Sequence, residues 1–129
     1  MERKLPRKIL LVDDEEDFLE TTARRLQRRD FEVKTAARCA EAVPLAESGW
    51  PDVVVLDVML PDIDGLECLA RIKRAAPRLP VVMLTGHASL QASVQGLEHG
   101  ASDYCLKPIE LDELVEKLII ACNEAAGAP

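Results

Sequence analysis

A chain of 129 residues that is 48% apolar and 30% charged has the size of one domain with its own core and the make-up of an ordinary globular protein. Its net charge of −7 argues against non-specific nucleic-acid binding, because there is no basic excess to displace counterions from phosphates. No apolar stretch approaches the roughly 20 residues of a bilayer span, and the basic segment Met1 to Lys8 is not followed by the apolar region and cleavage site of a secretory signal.

Ile9-Leu10-Leu11-Val12 is a short apolar run that ends at Asp13-Asp14, as a strand buried on both faces does. Glu15 to Arg29 then puts Phe18, Leu19, Thr22, Ala23 and Leu26 on one helical face. Glu15, Glu16 and Asp17 stand in its first turn, where negative charge is favourable, and the run Arg24 to Arg29 is its solvated end. Phe31 to Thr35 alternates apolar and polar residues, the pattern of a half-exposed edge strand. A weaker helix, about Arg38 to Glu47, contains Pro44 and ends at Ser48-Gly49.

Val53-Val54-Val55-Leu56 runs into Asp57, and Pro61 to Gly65 makes the following loop. Leu66, Leu69, Ile72 and Ala76 line one side of a third helix, closed by Pro77 and Pro80. Val81-Val82-Met83-Leu84 ends at Thr85, and a fourth helix over Ser89 to Glu98 precedes the cap His99-Gly100. Tyr104-Cys105-Leu106 ends at Lys107, and Glu110 to Glu124 forms a fifth helix before a loose Gly127-Ala128-Pro129. Cys39, Cys68, Cys105 and Cys122 sit singly in apolar or helical patterns. They read as small buried hydrophobes, not as ligands or disulfides, and favour a reducing, cytoplasmic setting.

Five strands alternating with five helices imply right-handed crossovers and an α/β, doubly wound parallel sheet with helices on both faces. Runs one, three and four are apolar throughout and belong in the middle; runs two and five suit the edges, giving the order 2-1-3-4-5. The whole of 1–129 reads as one domain, with its core over about 8–124 and a tail or linker stub over 125–129.

Ligands of such sheets bind beyond the carboxyl ends of the strands. Those ends would bring together Asp13, Asp14, Asp57, Thr85 and Lys107, a set suited to a divalent cation and a phosphoryl group. Asp57 ends the central strand and is the candidate nucleophile. Crowded carboxylates repel one another unless a cation sits between them, which invites Mg²⁺. Plainer readings exist for each residue alone: Asp13 or Asp14 as a helix cap, Thr85 as a strand-end hydroxyl, Lys107 as surface charge.

The motifs Leu11-Val12-Asp13-Asp14, Leu56 to Asp62, Asp64-Gly65, Leu84-Thr85-Gly86 and Asp103 to Pro108, in this order, resemble the receiver domain of two-component response regulators over roughly Lys8 to Ala121. The resemblance implies the flavodoxin-like, CheY-like fold and a phosphoacceptor, not a turnover enzyme, fed by a sensor histidine kinase or histidine phosphotransfer protein. It implies Asp14 and Asp57 as ligands of Mg²⁺ (or Mn²⁺), with Asp13 acting through water and Met59 through its backbone carbonyl. It further implies Lys107 and Thr85 as partners of the phosphoryl oxygens, a Lys107-Pro108 bond that is cis, and Tyr104 as an aromatic that rotates behind Thr85. Homodimerisation through helix four, strand five and helix five follows by the same likeness. Met59, His87 and Gly86 occupy positions that modulate phosphate lifetime or access. For Tyr104 plain core packing stays open, and for His87 an exposed loop position. Two rival functions remain: a haloacid-dehalogenase-like phosphatase, which needs a second acid where Met59 stands, and an α/β protein-binding module that is never phosphorylated.

Overall fold

The computed structural model describes residues 6–58, 60–86 and 95–127. The chain runs β1 (Lys8–Val12), α1 (Glu16–Gln27), β2 (Glu32–Ala36), α2 (Cys39–Glu47), β3 (Val53–Leu56), α3 (Gly65–Ala75) and β4 (Val81–Thr85). There follow α4, described over 95–98, β5 (Asp103–Leu106) and α5 (Leu111–Gly127). The sheet is parallel in the order β2-β1-β3-β4-β5, with the alternating and short runs at the two edges. α5 continues to Gly127, three residues beyond the end expected from its apolar face.

Successive side chains of a strand point to opposite faces. Leu10, Val12, Val54, Leu56, Val81 and Met83 therefore pack with Ala42, Leu69 and Ile72 of α2 and α3. Ile9, Leu11, Val53, Val55, Val82 and Leu84 pack with Leu19, Leu26, Leu114 and Leu118 of α1 and α5. Both clusters are buried almost completely, which is why, after Lys8 at the start of β1, the strands β1, β3 and β4 carry no polar residue until they end. Burial of each large aliphatic side chain contributes about 1.5–3 kcal/mol.

Local chemistry sets the helix starts. Asp64 caps α3 by accepting the Leu66 N–H at 2.7 Å. Gly65 follows because the helix start presses on β3's exit: a Cβ there would lie 2.3 Å from the Val58 carbonyl oxygen. Gly100, after α4, has a φ of 106°, which only glycine adopts without strain. α2 tolerates Pro44 in its interior, and its first amides, Cys39 and Ala40 N–H, each donate at 3.0 Å to the Asp62 carboxylate. Burial pushes the Asp62 carboxyl up, but these amide donors outweigh it and leave its pKa lowered.

The cysteines correct the expectation. Cys39 and Cys68 are joined in a disulfide across 29 residues, with their Cα atoms 5.8 Å apart; Cys105 and Cys122 are buried and lie outside this bridge. The bridge forms because α2 and α3 lie side by side on one face of the sheet and begin at the same end, which residue spacing does not reveal. The cysteines therefore no longer speak for a reducing compartment. Among the described residues no helix is long and apolar enough to cross a membrane.

Candidate functional site

The sheet's hydrogen bonding runs one residue past the strands at the site. Asp57 N–H donates to the Val12 carbonyl at 2.9 Å, and Asp13 N–H to that of Ala36 at 3.1 Å. Two neighbouring parallel strands thus deliver two carboxylates side by side at the carboxyl edge. Asp13 is 2% exposed and Asp57 4%, the only buried charged side chains among the described residues. Asp14 is exposed beside them, and carboxylate oxygens of Asp13, Asp14 and Asp57 lie within 4.8 Å of one another. Neither Asp13 nor Asp14 caps α1. Glu15 is the N-cap residue but its side chain makes no capping bond, and Asp13 Oδ1 accepts the Glu15 N–H at 2.9 Å.

Lys107 stands directly after β5, and the Lys107-Pro108 bond that follows it is cis. Its Nζ donates to Asp13 Oδ2 at 2.6 Å and Glu15 Oε1 at 2.8 Å, and lies 3.6 Å from Asp57 Oδ2. The ammonium also sits 4.2 Å from the centroid of the Phe18 ring, a cation–π contact. Burial pushes the Lys107 ammonium's pKa down, but bonds to Asp13 and Glu15 and the charges of Asp13 and Asp57 outweigh it and leave the pKa raised. The same hydrogen bond and charge hold the Glu15 carboxyl below its ordinary range. One cation facing Asp13, Asp14, Asp57 and Glu15 leaves the cluster negative. Three hard oxygen donors converging within 4.8 Å fit a divalent cation such as magnesium.

The other site positions fall around this cluster. Thr85 ends β4, and its backbone is in register with Leu106, directly before Lys107. The Thr85 side chain, Met59 and His87 lie outside what is described. Gly86 borders the cleft, and among the described residues a Cβ there would meet only Lys107 Cδ, at 3.8 Å. Tyr104 stands opposite Met83 in β4 and packs, half-buried, against the α2–α3 layer of the core. A groove of about 610 Å³ beside the site lies between α1 and the start of α5, lined by Glu15, Phe18, Thr22, Lys107, Ile109 and Leu111 among others.

Two participants escaped sequence reasoning. Glu15 read only as first-turn helix charge, although its place directly after Asp14 at the same strand end was the available signal. Asp62 read as loop chemistry and caps the helix that begins 23 residues upstream, at Cys39.

The family model described as the response regulator receiver domain matches residues 9–119. The transcriptional regulatory protein TrcR of Mycobacterium tuberculosis is 41% identical over 113 residues, covering 88% of this chain and 44% of TrcR. The chain spans about half the length of the curated relatives it matches. A CheY-like receiver domain protein from Methanospirillum hungatei JF-1 superposes with a TM-score of 0.89 at 32% identity, covering 98% of this chain and 100% of that one. A Burkholderia pseudomallei response regulator, solved with a phosphorylated aspartic acid, a calcium ion and citrate, has a TM-score of 0.82 at 30% identity. That match covers 95% of this chain and 75% of its own.

Proposed function

This chain belongs to the response regulator receiver domain family of two-component signalling, and from that premise we propose that Asp57 is its phosphoacceptor. The donor is a phosphohistidine on a sensor kinase or a phosphotransfer protein. An Asp57 carboxylate oxygen forms a bond to phosphorus in line with the departing imidazole nitrogen, whose bond to phosphorus breaks. Lys107 meets the charge on the transferred oxygens, and the Thr85 hydroxyl donates to another of them. The observation that carries this reading is the buried Asp57 held 3.6 Å from a lysine that arrives from the far end of the chain.

Asp14 and Asp57 would hold Mg²⁺ (or Mn²⁺) directly and Asp13 through water, with the backbone carbonyl of Met59 as a further ligand by likeness to the family. The bound ion supplies positive charge that offsets the crowded carboxylates and the developing charge on the phosphoryl group. Water later hydrolyses the aspartyl phosphate, so the domain assists its own phosphorylation and dephosphorylation and is not a turnover enzyme. Met59, Gly86 and His87 are the positions to which we assign modulation of phosphate lifetime or access.

The groove between α1 and the start of α5 supports donor docking, since it opens directly beside Lys107. Thr85 and Tyr104 relay phosphorylation to the α4–β5–α5 surface. Leu97, Leu106 and Ile120, the large apolar residues left exposed among the described ones, support that surface as the one used for homodimerisation or output. A cytoplasmic location follows from this donor.

Incubation with Mg²⁺ and acetyl phosphate followed by intact-mass measurement tests the reading. The mass of one phosphoryl group, gained by the wild type and absent from Asp57→Asn, is the expected result. An unchanged wild-type mass with saturating acetyl phosphate and with a cognate kinase would overturn it.

A further inference from the structure

Lys107 is held by more than the site needs. An ammonium has three N–H donors. Here Asp13 and Glu15 each lie within hydrogen-bond distance of Nζ, at 2.6 and 2.8 Å, while Asp57 stands at 3.6 Å, beyond an ordinary bond. The two holders differ. Asp13 is 3% exposed in its side chain and fixed through its other oxygen by the Glu15 N–H. The Glu15 side chain is 64% exposed, and Lys107 is the only partner given for its carboxylate among the described residues. The ring of Phe18, one turn along α1, backs the ammonium and keeps it at the mouth of the cleft.

We propose that Glu15 is a positioning residue that parks Lys107 in the unphosphorylated state and competes with the incoming phosphoryl group for it. This rests on the phosphoacceptor reading above. While Glu15 is bound, Lys107 has one N–H donor left to offer a phosphoryl oxygen. As the group reaches Asp57, the hydrogen bond from Nζ to Glu15 breaks and one to the phosphoryl oxygen forms, with no proton changing owner. Glu15 then remains as an unpaired negative charge beside an aspartyl phosphate that has itself gained negative charge. Both consequences disfavour the phosphorylated state, so the residue sets the threshold of phosphorylation without touching the reacting atoms. Its exposure limits the size of the effect, as for other solvent-facing ion pairs.

The test compares wild type, Glu15→Gln and Glu15→Asp at saturating Mg²⁺, reading the steady-state ratio of phosphorylated to unphosphorylated protein by intact mass with acetyl phosphate as donor. Glu15→Gln should raise the ratio about two- to fivefold at low salt. At about 0.5 M salt the gain should shrink, because exposed charges are screened there. Glu15→Asp keeps the charge and should fall back towards wild type. In the metal-free protein the Lys107 Nζ resonance should move in Glu15→Gln, a signature independent of phosphorylation. A phosphorylated wild type whose ratio Glu15→Gln leaves unchanged or lowers, or an Nζ resonance that stays in place, would overturn the role of Glu15 alone. No added mass in any variant, wild type included, would overturn the phosphoacceptor reading and this inference with it.

Discussion

Lys107 Nζ and Asp13 Oδ2 are 2.6 Å apart although 94 residues separate them in the chain, and the pair closes the cleft over Asp57. The lysine side chain is 12% exposed and that of Asp13 3%, so this is an ion pair largely removed from water. Such a pair contributes less through attraction than its removal costs, because a lost partner leaves a buried charge uncompensated.

Lys107→Ala should therefore destabilise the metal-free protein by roughly 3 kcal/mol, since Asp13 and Asp57 would stay buried without a cation. Asp57→Asn should do the opposite and raise stability by about 1 kcal/mol, by deleting one of three crowded carboxylates. Urea unfolding without divalent metal checks both signs; a stabilised Lys107→Ala variant would contradict this account of the cluster.

Mg²⁺ should stabilise the folded chain, because the converging carboxylates exist only in the native state. At a concentration 100 times the dissociation constant the gain is about 2.7 kcal/mol. Thermal unfolding with and without Mg²⁺ measures it, and the increment should largely vanish in Asp14→Asn and Asp57→Asn.

The two glycines near the site should answer differently to alanine. At Gly65 a Cβ falls 2.3 Å from the Val58 oxygen and 2.4 Å from its Cα, backbone that cannot swing aside. Gly65→Ala should cost about 2–4 kcal/mol and displace the loop that follows Asp57. At Gly86 the nearest atom among the described residues is the flexible Lys107 Cδ at 3.8 Å, so Gly86→Ala should be near neutral in stability. Equal effects in urea unfolding would show that α3 does not press on the exit of β3 as described.

The contrast with what the sequence reveals is instructive at the level of single residues. Asp13, Asp57 and Lys107 were legible because each ends an apolar run, and a parallel sheet aligns strand ends whatever lies between them. The edge position of β2 was legible from the alternation in Phe31 to Thr35. The Cys39–Cys68 bridge, the Asp62 cap and the grip of Glu15 on Lys107 were not. The bridge and the cap depend on how α2 sits beside α3 and the loop before it, and such packing leaves no period in the sequence; for Glu15 the one signal was its place directly after the strand-end acids. Closing a loop across 29 residues, the bridge should contribute roughly 3–4 kcal/mol by restricting the unfolded chain. A urea midpoint unchanged by a dithiol reductant would show that it does not.

Cys105 supplies a pH dependence of definite sign. Burial, with added repulsion from Asp103 and Glu113 and against the opposing charge of Lys117, pushes its thiol from 9.0 up to about 11. The folded state thus holds this proton more tightly than the unfolded one. Below about 9 both states are protonated and the site leaves stability unchanged. Between about 9 and about 11 the unfolded chain releases the proton and the folded chain does not, so stability falls as pH rises through that window. Cys105→Ala should flatten this part of the urea-midpoint profile, and native Cys105 should resist alkylation at about pH 8, where almost none of it is thiolate. Rapid alkylation of the folded protein at that pH would show the thiol to be neither buried nor raised.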